Sequence, residues 1–396
     1  MPEPLILPLP DCSDPRLVGG KAAGLGALLR LGFQVPPGIC VTTGAVRLAI
    51  REIGFDAEAA WARLVTAGPA DRVQRLHEYQ QQMARLAVPP QVLHELDDAL
   101  QTLELNRPGS RVRWWAVRSS AIDEDGPRLS LAGAYRSRLG LLREEMASAI
   151  PSVWASCWTL SALTRARDAR LPTMAVLIQP LLAARAAGVA FSCHPVTGEP
   201  HVVVVNAVPG LAEPLVNGTV TPDSFLIDMP PAQPAPRVRQ RAISEKSSAR
   251  IVTEQGVVDH ALSPSRRAAP SLDEADVLRL AQLVTQAAAC LKTDVDVEWA
   301  QDETALWLLQ ARVIAPHSVR TGLSDATSTW SRANFKETMP DLPSPLGLAF
   351  LEEFMEHGIL RHYRALGCRI PAGTSSIRIV AGRPYINVSL FQSFTA

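Results

Sequence analysis

Three stretches, far apart along the chain, gather residue types suited to phosphate and divalent-metal chemistry. The first is GGKAAGLG at 19–26. Two glycines let the backbone come close to a ligand, the helix that follows presents unpaired N–H groups, and Lys21 adds a compact positive charge. It is neither a Walker A loop, which needs Gly where Pro15 stands and Ser or Thr where Ala22 stands, nor the GxGxxG fingerprint. Taken alone, it reads first as an ordinary helix start with a solvated lysine.

The second stretch is VRSSAIDEDGPRLSLAGAY at 117–135. A strand ends at Arg118, whose planar fork of donors matches phosphate oxygens. Two hydroxyls and an acidic turn follow, with Asp123, Glu124 and Asp125 expected to face solvent or pair locally. The small-residue loop at Ala132 and Gly133 could then lie across a nucleotide; the alternative is an ordinary polar turn.

The third is DVDVEWA at 294–300 with TALWLLQAR at 304–312. Alternation puts Asp294, Asp296 and Glu298 on one face of the first strand and Leu308, Gln310 and Arg312 on one face of the second. If those faces coincide, a carboxylate and an amide carbonyl converge beside a guanidinium. Mg²⁺ takes hard oxygen ligands, one or two from protein and the rest from phosphate and water, so Glu298 and Gln310 are candidate ligands. Arg312 would neutralise phosphate charge as it shifts during transfer. A surface hairpin with a solvated acidic edge is the other reading.

Certain elements must position these residues. Helical spacing of Leu25, Leu28 and Leu29 predicts a helix over 20–31, and helices are expected at 46–50 and over 59–105 with a break at Pro89-Pro90. Short apolar runs at 112–117, 174–179, 188–193 and 202–206 read as strands. A helix over 143–157 should kink or restart at Pro151, and one over 273–291 carries an apolar face through Val277, Leu280, Ala281, Val284 and Ala288. The proline-rich 229–237 reads as a connector. Past 330, a helix over 346–366 and a hairpin around Gly382-Arg383 and Asn387 are expected.

Bulk properties narrow the function classes. With 396 residues the chain should hold two or three domains or subdomains. The 39 basic and 39 acidic side chains cancel, which removes the field a nucleic-acid binder would use. Phosphate chemistry must therefore come from a few converging cations. The six cysteines form no CxxC pair, which argues against a zinc site or disulfide framework. No apolar run approaches the length of a membrane span, and the opening MPEPLILPLP lacks a basic region or cleavage site. A soluble cytoplasmic protein is expected, with no nucleic-acid or membrane partner.

Taken together and in order, the three stretches resemble one family. GGKAAGLGALLRLGFQVPPGICVTTGA (19–45) is similar to the N-terminal signature of phosphoenolpyruvate synthases, pyruvate, phosphate dikinases and rifampin phosphotransferases. VRSSAIDEDGPRLSLAGAY, AVLIQPLLAARAAGVAFSCHPVTG (175–198), GLAEPLVNGTVTPD (210–223) and DVEWAQDETALWLLQARVI (296–314) resemble its later motifs. The likeness covers 17–314, and WSRANFKETMPDLPSPL (330–346) resembles the segment that follows the ATP domain in some branches. It implies an α+β, ATP-grasp fold at 1–314 with two nucleotide-clamping subdomains, about 1–200 and 201–314. A linker at 315–329 and the start of a second, partly helical domain at 330–396 would follow.

The resemblance also implies roles. Lys21 and Arg118 would contact ATP phosphates, the Gly133 backbone would cover them, and Ser137 would take a hydroxyl position usually held by threonine. Gln179 would sit by the adenine, Glu298 and Gln310 would hold Mg²⁺, and Arg312 would contact the phosphates in transfer. His194 stands where relatives commonly have Asp or Asn, and Ala212 replaces a usual glycine of the GLGE motif. A lone histidine before proline is expected to be structural.

Family members pass a phosphoryl group from ATP to a histidine on a swivelling domain, with AMP and phosphate released. None of the eight histidines lies in the glycine-rich context of that carrier, and a pyruvate-binding barrel cannot fit after 330. The expectation is a dikinase-type ATP-binding phosphotransferase half. It would be split or truncated, with its phosphohistidine carrier in trans or on a missing C-terminal part. The alternatives are a non-catalytic ATP-binding regulatory module, the ATP domain of a rifampin phosphotransferase-like enzyme, or a remnant without ligand. Pyruvate, a rifamycin and other acceptors stay undistinguished.

Overall fold

Asp14 starts the first long helix: its carboxylate accepts the Arg16 N–H at 3.0 Å, and Pro15 pre-sets the first turn. That helix, α1 (Pro15–Arg30), is interrupted at Gly19, whose φ of 75° breaks the helical run. One turn thus precedes the expected start, and the helix resumes at Gly20. The computed structural model describes residues 3–105, 112–122, 135–159, 162–163, 171–195, 199–230, 235–314, 329–332, 335, 345–365, 370, 374–380 and 382–392.

Around α1 the chain builds two antiparallel sheets. The five-stranded one has the order β1-β2-β5-β3-β4, formed by β1 (Ile6–Pro8), β2 (Ile39–Val41), β3 (Trp115–Ala121), β4 (Arg138–Leu141) and β5 (Met174–Pro180). Helices α2 (Thr43–Glu52), α3 (Ala57–Thr66), α4 (Pro69–Ala84), α5 (Pro90–Leu105) and α6 (Met146–Ala155) belong to the same half. The helical stretch expected over 59–105 is therefore broken at Gly68-Pro69 as well as at Pro89-Pro90. Pro151 lies inside α6, behind a 3₁₀ turn at Arg143–Glu145, and does not restart it.

The six-stranded sheet has the order β13-β12-β6-β7-β8-β9. Its strands are β6 (Ala186–Phe191), β7 (Val202–Pro209), β8 (Asp223–Asp228), β9 (Arg237–Ala242), β12 (Val295–Gln301) and β13 (Leu306–Val313). A short helix α7 (Glu213–Val216), a hairpin β10 (Ser248–Thr253) and β11 (Gly256–Ala261), a single turn α8 (Pro264–Arg267) and helix α9 (Glu274–Leu291) complete this half. Asp273 caps α9 by accepting the Asp276 N–H at 2.8 Å, and Lys292 in the left-handed region ends it. By sheet membership the changeover falls between Pro180 and Ala186, ahead of the division expected near 200, because β6 pairs with β7 and β12.

Two cores explain why this arrangement holds. Val176 and Ile178 pack with Trp61, Trp154 and Trp158 in the helical half, whereas Ala175 and Leu177 face the opposite core. Strand β5 is buried on both faces, so its sequence is a continuous apolar run rather than an alternation. The second core joins Val18, Leu25 and Leu28 of α1 to Val203, Phe225 and Trp299 of the six-stranded sheet and to Val277 and Leu280 of α9. Helix α1 is thereby packed against both sheets.

Contacts divide the chain between Ala315 and Pro316. The second unit holds α10 (Pro345–Glu353), a π-helical stretch Phe354–Ile359 and α11 (Leu360–Ala365), followed by the hairpin β15 (Ile377–Val380) and β16 (Arg383–Asn387) and a final turn α12 (Val388–Gln392). The short β14 (Trp330–Ser331) pairs with β16. Phe335, Leu351, Met355 and Ile377 form its small core.

Candidate functional site

The Gly19 kink is built against β3. A Cβ on Gly19 would lie 1.9 Å from the Ser120 carbonyl oxygen, so only glycine fits. Ser120 Oγ donates to the Val18 carbonyl at 2.7 Å and accepts the Ala22 N–H at 3.0 Å, spanning the break. Lys21, between these anchors, is 5% exposed and reaches a cavity of about 260 Å³.

Strand β3 also delivers Arg118. Its guanidinium donates to the Leu309 carbonyl at 2.8 Å and to the Glu298 carboxylate at 2.9 Å, joining the five-stranded sheet to β12 and β13. Across that second hairpin Glu298 stands opposite Gln310 and Asp296 opposite Arg312. The expected convergence of faces therefore occurs, with one correction. The register shifts between Glu298 and Trp299, because Leu309 is an extra residue in β13. Leu308 consequently pairs with Trp299 and joins the α1 core instead of sharing a face with Gln310 and Arg312. The bulged Leu309 is the residue whose carbonyl receives Arg118.

Gln179, at the end of β5, donates to the Pro36 carbonyl at 2.7 Å beneath Gly38, where a Cβ would approach its Cγ within 2.7 Å. The turn Pro36-Pro37-Gly38 thus orients this buried amide. Lys21, Arg118, Ser137, Gln179, Glu298, Gln310 and Arg312 all line the one cavity. Gly133 and the acidic turn Asp123 to Asp125 lie outside the described residues. His194 is not among the lining residues; its N–H is bonded to the Glu199 carbonyl at 3.2 Å.

The cavity is electrostatically distinctive. Burial alone would raise the Glu298 carboxyl, but Arg118, Lys21 and Arg312 outweigh it and hold the group below the usual carboxylate range. Three cations thus surround one ionised carboxylate and leave a local excess of positive charge suited to a polyanion. Leu139, Leu182, Ala187 and Leu309 give another part of the wall an apolar surface. A larger hollow of about 660 Å³ opens in the helical half beside Phe55, Trp154 and Trp158. Its charges, Arg47, Arg51, Asp56 and Glu58, are of both signs, and none of the sequence candidates lines it.

The donor set fits Mg²⁺. A carboxylate faces an amide side chain across one strand pair, and among the described residues no group of three or more His, Cys, Asp or Glu side chains forms a metal cage. Few protein ligands, completed by phosphate oxygens and water, is the pattern this ion favours. Sequence reasoning missed Tyr135 and Glu213, which also line the cavity. The GLAE run at 210–213 was the available signal for Glu213.

Residues of both sheets thus line one cationic cavity. The chain belongs to the pyruvate phosphate dikinase AMP/ATP-binding domain family, whose model matches residues 15–329. It is 32% identical over 358 residues to the prodigiosin synthesizing transferase PigC of Serratia marcescens, covering 87% of this chain and 38% of that one. It is 32% identical over 337 residues to a phosphoenolpyruvate synthase of Aeropyrum pernix, covering 75% and 40%. A rifampicin phosphotransferase of Streptomyces sviceus is 30% identical over 353 residues, covering 87% and 39%. The chain spans about two fifths of the length of these curated relatives. Among the described residues no helix is long and apolar enough to cross a membrane.

Proposed function

We propose that this chain binds MgATP between its two sheets in an ATP-grasp manner and supplies the nucleotide half of a phosphotransfer reaction. The observation that carries this is the convergence of Lys21, Arg118 and Arg312 on the Glu298 carboxylate, itself opposite Gln310. The ordered resemblance of motifs and the family match support the nucleotide; the oxygen donors support the metal.

Lys21 and Arg118 hold phosphate oxygens, and Arg312 compensates the charge that moves to the transferred group. Glu298 and Gln310 would hold Mg²⁺, which when bound neutralises phosphate charge and fixes its orientation. Ser137 offers a hydroxyl to the same oxygens, and Gln179 with the apolar wall flanks the base. Positioning and charge compensation are the main demands of phosphoryl transfer on a protein.

The acceptor in this reading is a histidine of a carrier domain, in trans or elsewhere in a longer chain, with AMP and phosphate released. Relatives carrying this domain bear names with different end products, which supports a domain that sets the donor and leaves the final acceptor to other parts. Incubation with ATP labelled at the β-phosphate and a candidate carrier domain should yield phosphohistidine and AMP. MgATP binding without AMP formation in that mixture would support a nucleotide-sensing module, and absence of binding would overturn both.

A further inference from the structure

The hairpin β10–β11 touches both walls of the cleft. At its base Lys246, 1% exposed, is ion-paired with Asp223, 0% exposed, and donates to the Ser244 carbonyl at 2.9 Å. Asp223 also accepts the backbone N–H groups of Ser244 at 3.0 Å and Ser271 at 2.7 Å, so the foot of the hairpin is fastened to β8. Midway, the Arg250 carbonyl accepts the Leu211 N–H at 2.7 Å, and its guanidinium meets the Glu213 carboxylate at 2.7 Å and that of Asp259 at 3.3 Å. At the tip, the Thr253 carbonyl accepts the Trp114 indole N–H at 2.8 Å. Val257 lies so close to Gly140 that a Cβ there would come within 2.8 Å of its side chain. The foot therefore stands on the six-stranded sheet and the tip on the β3–β4 side of the other.

Leu211 and Glu213, the residues Arg250 holds, both line the cavity. We infer that β10–β11 is a strap that keeps the two walls of the nucleotide cleft in register. Arg250 is its positioning residue, acting through Glu213. The inference rests on the reading of the cavity as a MgATP site. Its electrostatic logic is direct: Glu213 is a carboxylate on the wall of a pocket meant for a triphosphate, and an uncompensated negative charge there repels the ligand. Arg250 neutralises that charge and draws it toward the hairpin, while Trp114 holds the hairpin from the opposite wall.

The test is MgATP affinity, by calorimetry, on the full chain. Arg250→Ala should weaken binding by about tenfold, the factor for roughly 1.4 kcal/mol, and Arg250→Lys should recover part of it. Glu213→Gln alone should keep the affinity, because the repelling charge is gone, and Arg250→Ala in that background should change nothing further, whereas a merely structural ion pair would make Glu213→Gln as damaging as Arg250→Ala. Trp114→Phe removes the tip hydrogen bond while keeping a ring beside Gly256. It should weaken binding by about threefold, and it carries the test if Arg250→Ala does not fold. Unaltered affinity in Arg250→Ala, or the same factor in both backgrounds, would overturn the strap. Failure of the unsubstituted protein to bind MgATP would instead overturn the nucleotide reading beneath it.

Discussion

Arg118 and Glu298 meet at 2.9 Å across the gap between two sheets that share no strand, 180 positions apart in the chain. Their side chains are 13% and 22% exposed, so the pair sits at the wall of the cleft, sheltered but reachable. A second Arg118 nitrogen donates to the backbone of β13, which fixes the guanidinium plane.

The cationic set should be separable from ordinary surface charge. Lys21→Ala and Arg312→Ala are each expected to lower MgATP affinity by about ten- to hundredfold, as charge-assisted phosphate contacts do. Arg241→Ala, on the exposed edge strand β9, should leave it unchanged. Calorimetric titration of the three variants reads this directly, and equal affinities would remove the assignment.

The Glu298 carboxyl sets a pH signature. Its value in the folded protein lies below the ordinary 4.5, because the three neighbouring cations outweigh the burial that would raise it. A depressed folded value contributes stability that is present above the ordinary value and is lost as pH falls from there toward the folded one. Melting temperatures of the unsubstituted protein and Glu298→Gln, compared from neutral pH downward, should therefore converge as the solution becomes acidic. A difference that widens with acidification would contradict the cationic surroundings.

Gly19→Ala should destabilise the fold by more than about 2 kcal/mol, combining left-handed strain with collision against the Ser120 carbonyl. Gly32, with φ of 87° and no atom within 4 Å of where a Cβ would stand, isolates the first of these costs. Gly32→Ala should lose only about 1 kcal/mol. Urea unfolding of both variants measures the difference, which is the energetic worth of the close approach between α1 and β3.

Thiol chemistry offers a check on the cores. Burial pushes the Cys157 thiol up to about 12, and burial with the Asp294 carboxylate nearby pushes Cys193 up to about 11. Cys290 is exposed. A maleimide at neutral pH should modify Cys290 rapidly and Cys157 and Cys193 only after denaturation, since the thiolate is the reactive form. Peptide mapping of the labelled protein would show it.

Much of the scaffold was legible because burial leaves strong patterns. AVLI at 175–178 reads as a strand since both its faces are covered, and the 274–291 helix announces itself through its cap at Asp273 and its apolar stripe. The partnership of Glu298 with Gln310 followed from alternation and a short turn. Other features carry no such mark. Strand β9, RVRQRA, lies at an edge with little to bury, so its composition reads as loop. The two leucines at 308 and 309 give no hint that one is an insertion in the ladder. Glu213 and Arg250 are brought together by a hairpin whose tertiary contacts, rather than its own apolar pattern, hold it in place.

That insertion at Leu309 has a reach beyond its own position. On either side of it the strand keeps an every-other-residue rhythm, but the two halves are out of phase by one. Leu306 and Leu308 point one way with Trp299, whereas Gln310 and Arg312 point the other with Glu298. Were Leu309 kept and the ladder run in unbroken alternation, Leu308 would share a side with Gln310 and Arg312, and either the amide and guanidinium would turn inward to grease or the leucine outward to water.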